Sequence, residues 1–254
     1  MSNLTDKHIL VFAATGAIAS QAAATFAAQG AHVWLSARDA DRVSTQVEAI
    51  RTDGGQAEAH TVDATDPETV AAYVADVAAQ TGRIDGVFNG IGGRPHQLGY
   101  PAVSAEQPLA DFLIPFTTIV ASQFLTAREA AKHMAGGSIV LLAASLSVMT
   151  QPYMAGISAA QGALEALTRA LAGEYGPKGI RVNCVRGSGM PETQTIQETA
   201  AGYAALGLTI PMHLPPLGRP ITVADTVGTA TYLLSDLASG VTGQVVDVSA
   251  GAFV

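Results

Sequence analysis

The chain has 254 residues, 48% of them hydrophobic and only 13% charged, with 26 glycines and a formal net charge of −8. So acidic a chain carries no basic patch to neutralise phosphates, which argues against nucleic-acid binding, and no apolar run approaches the roughly 18 residues of a membrane span. Abundant small residues and few charges point instead to close backbone packing and to surface given over to contacts between subunits.

Residues 8–14 (HILVFAA) make a short apolar run that reads as a strand, followed by a helical pattern over 18–29. Residues 32–37 (HVWLSA) predict a second strand and 40–52 a second helix. A third strand over 57–62 precedes a helix over 67–81, with Asp66 as N-cap and Pro67 in the first turn, where a missing N–H does no harm. Strands over 84–89, 138–143, 180–185 and 244–248 alternate with helices over 110–134, 154–175 and 223–234. Short runs apolar on both faces suit a parallel sheet covered on both sides. The alternation predicts a single α/β domain: a Rossmann-like doubly wound parallel sheet of about seven strands, with helices on both faces.

The stretch 186–220 breaks this rhythm with four prolines besides Pro220, together with Met190, Tyr203, Ile210 and Met212. So long an irregular segment predicts a lid, and its apolar content predicts a small hydrophobic molecule beneath it. The single cysteine, Cys184, forms no internal disulfide, and the first residues lack a signal-peptide pattern, so the cytoplasm is expected. No His/Cys/Asp cluster has metal-ligand spacing, so no metal is expected.

Several segments in this order resemble the short-chain dehydrogenase/reductase family, over nearly the whole chain. Gly30-Ala31 closes the first crossover, and Asp63 follows the third strand. DGVFNGIG (85–92) resembles the family's D-x-x-x-N-N-A-G, and residues 176–183 (GPKGIRVN) its P-x-G-I-R-V-N. Gly218-Arg219-Pro220 and SDLASGVTG (235–243) resemble its closing segment. The resemblance implies an NAD(P)-dependent oxidoreductase assembled as a homo-oligomer, a dimer or a tetramer. The apolar helices over 110–134 and 154–175 and the Ala252-Phe253-Val254 end fit such an assembly.

The family's working residues, however, are replaced. Its T-G-x-x-x-G-x-G cofactor loop falls on Phe12, Ala13, Ala17 and Ala19, which leaves Gly16 as the nearby glycine. Its Tyr-x-x-x-Lys pair falls on Ile157 and Gln161, its Asn on Ile119 and its Ser on Ala144. By the resemblance, Gly16, Ile18, Arg38, Asp63, Asn89 and Thr193 are the cofactor-binding candidates. Ser36 and Arg38 flank Ala37, where NAD-preferring members carry an acid, so NADP(H) is expected. Ser145 and Tyr153 are the remaining catalytic candidates, Tyr153 one helical turn before the lost tyrosine. Arg94 and His96 follow the fourth strand, and Arg186 is placed to clamp an anion or, preferably, to pair with Glu192.

Three readings stay open. One is an NADP(H)-dependent reductase with a relocated proton donor. Another is a cofactor-free lyase or isomerase on the same scaffold, as in the halohydrin dehalogenases. The third is a non-catalytic ligand-binding or partner subunit.

Overall fold

The computed structural model describes residues 4–210 and 214–253. Its elements are β1 (His8–Phe12), α1 (Ala17–Ala28), β2 (His32–Ala37), α2 (Ala40–Thr52), β3 (Gln56–Thr61), α3 (Pro67–Thr81), β4 (Gly86–Asn89), α4 (Leu109–Pro115) and α5 (Ser122–His133). They continue through β5 (Gly137–Ala144), α6 (Ala155–Tyr175), β6 (Ile180–Gly187), α7 (Gln194–Ala205), α8 (Val223–Leu234) and β7 (Val245–Val248). The strands form one parallel seven-stranded sheet in the order β3-β2-β1-β4-β5-β6-β7. The order reverses between β1 and β4, so the crevice above their carboxyl ends is where a ligand of such a sheet binds.

Each face of the sheet has its own core. On one side Val70 and Val74 of α3, Ala127 of α5 and Leu164 of α6 close over Leu10, Leu141 and Val182. On the other, Phe26 of α1, Val47 of α2 and Leu233 of α8 close over Val11, Phe88 and Val140. Helix starts are set by side chains. Asp39 accepts from Arg42 N at 3.0 Å, Asp66 accepts from Glu68 N at 2.9 Å, and Thr222 with Asp225 forms a reciprocal capping box.

Three expectations fail here. The segment 186–220 is not irregular throughout, because α7 lies inside it; residues 211–213, with Met212, fall outside the described residues. The helix expected over 110–134 is broken into α4 and α5 by a π-helical stretch, Phe116–Ala121. Pro115 stands immediately before it and has no N–H for the carbonyl four residues back, so the register widens there. The combined rod Leu109–His133 is, by length and composition, apolar enough to cross a membrane, contrary to the expectation that no run approaches this. Here it packs against α3 and α6 and buries Ser122, Gln123, Thr126 and Glu129.

Candidate active site

β1 ends at Phe12, and the chain turns through Ala13 with φ at 54°, in the left-handed region. The turn thus takes a conformation that favours glycine while carrying a methyl group. A Cβ there is strained by about 1–2 kcal/mol. Ala13→Gly is therefore expected to stabilise the fold by about 0.5–1 kcal/mol after the larger chain entropy of glycine is allowed for. Urea unfolding of both proteins checks this; an unchanged or lower midpoint would show that the turn relaxes around the methyl.

Gly16 donates its N–H to Ala13 O at 2.9 Å and opens α1 in an extended conformation, with no side chain capping the helix. The first-turn N–H groups of α1 are thus left facing the crevice. Ile18 is half-buried against the core under α1 rather than lining the loop. Ala19 lies against Gly90: a Cβ on Gly90 would stand 2.6 Å from that of Ala19. A glycine on the strand side thus permits a close helix–strand approach.

At the carboxyl end of β2, Arg38 is exposed and forms no hydrogen bond among the described residues. Ser36, expected to share a phosphate with it, instead turns its hydroxyl into the sheet toward Val11 O. Arg42, one turn into α2 and not singled out in the sequence, lies on the loop, donating to Thr15 O at 3.0 Å. Its i, i+4 spacing from Arg38 was the legible signal. Asp63 accepts from the backbone and hydroxyl of Thr65, and these bonds, helped by the Arg38 charge, hold its carboxyl below the ordinary value.

Ile157 and Ile119 are buried, and Gln161 uses its side-chain oxygen to accept from Ala144 N at 2.9 Å, tying α6 to the end of β5. Asn89 is fully buried and donates to Thr126 and to Gln123 O, so its amide nitrogen serves α5; its Oδ1 has no partner among the described residues. Ser145 is buried and donates to Gly187 O at 3.0 Å. Thr193 likewise spends its hydroxyl on Met190 O at 2.8 Å.

Arg186 does not pair with Glu192, which instead accepts from Val223 N. It binds Glu165 of α6 at 3.1 Å and Asp247 of β7 at 2.9 Å, and all three side chains are largely buried. Burial works against the guanidinium charge, but the Asp247 and Glu165 hydrogen bonds outweigh it and raise the Arg186 pKa. Ser147 donates to Glu165 and Ser249 to Asp247, completing the network. A substrate anion would have to displace these partners, so Arg186 is no free clamp.

Tyr153 lies in the turn before α6, with φ at 64°. Its carbonyl accepts from Ala102 N at 2.9 Å, its ring meets that of Tyr203 edge-on at 6.4 Å, and its hydroxyl has no partner among the described residues. Tyr203, buried on α7, donates to Pro152 O in the same turn. Tyr100 reaches in from the loop after β4, accepting from Gly156 N at 2.8 Å. Ile91, Leu98, Met154, Ile157 and Tyr203 belong to one apolar cluster, with Leu208 and Ile210 packed on it. The arrangement offers one phenol, unengaged among the described residues, packed against an apolar cluster.

The family described as enoyl-(acyl carrier protein) reductase matches residues 13–252. The protein assigned as ketoacyl reductase of the monensin polyketide synthase in Streptomyces virginiae is 32% identical over 267 residues, covering 99% of this chain and 98% of its own length. The 7α-hydroxysteroid dehydrogenase of Clostridium sardiniense is 29% identical, covering 99% of this chain and 95% of its own. A solved 7α-hydroxysteroid dehydrogenase complexed with NADH and 7-oxo glycochenodeoxycholic acid superposes with a TM-score of 0.87 at 27% identity, covering 98% of this chain and 95% of that one.

Proposed function

The chain belongs to the short-chain dehydrogenase/reductase family of oxidoreductases, and from that premise we propose that it reduces the carbonyl of a small hydrophobic molecule with NADP(H), using Tyr153 in place of the family's tyrosine. The observation that carries this reading is Tyr153 itself: an aromatic residue held in the left-handed region, its hydroxyl unengaged among the described residues, packed against the apolar cluster that includes Ile157, where the resemblance places the family's donor. Strain of this kind persists only where the surroundings enforce it, and it gathers at functional sites.

The residues present fit a dinucleotide. The turn through Ala13 is left-handed, the uncapped start of α1 faces the crevice, and Gly90 admits Ala19. Gly16 and the first turn of α1, including the backbone of Ile18, would hold the pyrophosphate, and Asp63 the adenine. Arg38 with Arg42 would hold a 2′-phosphate; Asn89 and Thr193, both engaged with protein atoms, would at most line the cavity. The nicotinamide supplies the hydride when bound. Tyr153 donates the proton to the substrate's carbonyl oxygen, and Ser145, whose single hydrogen is spent on Gly187 O, accepts from a water held beside that oxygen. Arg94 pairs with Glu198 and Arg186 with two carboxylates, which favours an uncharged substrate. Exposed Leu109 and Leu113 on α4 support association of copies of the chain. Burial pushes the Cys184 thiol up to about 12, which suits an inert thiol in a reducing cytoplasm.

A second reading, a binding subunit without catalysis, has Ile119, Ala144 and Ile157 in its favour, since none can move a proton. Calorimetric titration separates the two. Micromolar binding of NADPH is expected, weakened at least about tenfold by Arg38→Ala through loss of charge-assisted hydrogen bonds. No heat at millimolar NADPH or NADH would remove the reductase reading.

A further inference from the structure

The turn that carries Tyr153 does not hold its own conformation. Its Pro152 carbonyl accepts from Tyr203 of α7, and its Tyr153 carbonyl accepts from Ala102, in the loop after β4. Those two supports are themselves joined. Gly202 of α7 sits so closely on Pro101 that a Cβ there would stand 2.8 Å from the proline Cδ. Further along α7, Glu198 bonds Arg94 Nη1 at 3.1 Å, and His96 Nδ1 lies 3.1 Å from its other oxygen without hydrogen-bond geometry. The contacts close a ring that runs from the Arg94–His96 loop to Glu198, along α7 to Tyr203, into the strained turn and back through Ala102.

We propose that Glu198 and Tyr203 are positioning residues: α7, clasped down by Glu198, uses the Tyr203 hydroxyl to hold the 151–154 turn so that Tyr153 points its phenol into the site only when the lid is closed. This rests on Tyr153 being the donor, but the mechanical coupling stands or falls separately. The sequence of α7 fits a part-time contact. Tyr203 is the buried residue of the helix, and neither end has a side-chain cap. Such an element opens at lower free energy than the sheet beneath it. A clasp between half-exposed groups is weak enough to break on each cycle of ligand entry.

Hydrogen–deuterium exchange of the full chain, wild type against Glu198→Gln, tests the coupling without any assay of turnover. Loss of a half-exposed ion pair is expected to speed exchange of α7 amides by about two- to fivefold, and those of residues 151–156 by a similar factor, with β1, β4 and β5 unchanged. Arg94→Ala, which breaks the clasp from the other side, is expected to do the same, and Tyr203→Phe to speed 151–156 while leaving the Arg94–Glu198 contact in place. Faster α7 exchange with an unchanged 151–156 segment would overturn the coupling, as would no change in either. A second readout reaches Tyr153: Glu198→Gln is expected to lower kcat for carbonyl reduction with the NADPH Kd unchanged, and Glu198→Asp to recover part of it. If wild type binds no dinucleotide yet the exchange coupling holds, the donor assignment fails and the lid–turn linkage remains.

Discussion

Tyr153→Phe is expected to lower the rate of carbonyl reduction by about 10²–10⁴-fold, the span of a lost general acid, with the NADPH dissociation constant unchanged. The loss is expected in kcat, because the hydroxyl acts on charge that develops as hydride arrives, not on the bound ground state. No other phenol near the pocket is available for the task. Tyr203 spends its hydroxyl on Pro152 O, and Tyr100 spends its own on Gly156 N and Gln107. Ser145 is engaged with Gly187 O, so Ser145→Ala is expected to have a smaller effect. Tyr153→Gly supplies the sharper comparison. Glycine suits a φ of 64°, so this variant is expected to gain about 0.5–1 kcal/mol from relief of strain, offset in part by the lost ring contact with Tyr203. It should be inactive all the same. Single-turnover kinetics with NADPH and a hydrophobic ketone give the answer. Full activity in Tyr153→Phe would mean that a water, and not this residue, delivers the proton.

How much of this was legible in the sequence depends on where each element finds its partners. Helices α2, α3 and α8 begin and end at the expected residues because Asp39, Asp66 with Pro67, and the Thr222–Asp225 box write their starts locally. The strands were legible because a sheet covered on both faces needs short, wholly apolar runs. Helix α7 was not. Thr193 precedes it but gives its hydroxyl to Met190 O rather than to the helix, and Tyr203 is the residue that α7 buries, so neither a cap nor a hydrophobic stripe announces it. It is made by docking on Pro101, Arg94 and Pro152. The π stretch escaped for a similar reason: Pro115 reads as a kink, but which way the register shifts is set by packing on α6. Alignment of the motifs puts the family's tyrosine and lysine on Ile157 and Gln161 as an expectation of the sequence, whereas the partners of those side chains were not legible. The left-handed conformations of Ala13 and Tyr153 carry no residue-type signal, since both positions would ordinarily call for glycine.

Arg186 illustrates the same limit, and it yields the largest expected change in stability. Its partners lie 21 and 61 residues away in sequence, on α6 and β7, whereas the sequence-based expectation settled on nearby Glu192. Arg186→Met would leave the Glu165 and Asp247 carboxylates facing each other's charge with side-chain exposures of 14% and 22%. Removing one member of a buried ionic group is expected to destabilise by about 3 kcal/mol, the low end of the range for full burial because water reaches Asp247. Urea unfolding of both proteins at pH 7 checks the loss: an unchanged midpoint would show that the two carboxylates relax apart without cost. The combined variant Arg186→Met, Glu165→Leu, Asp247→Val removes the charges together and is expected to recover most of the loss, because a buried ion pair holds little net stability over apolar residues of similar volume. If the combined variant is as unstable as the single one, the network is doing more than neutralising its own charges. Its hydrogen bonds to Ser147 and Ser249 would then be what fixes the carboxyl ends of β5 and β7 on which the site is built.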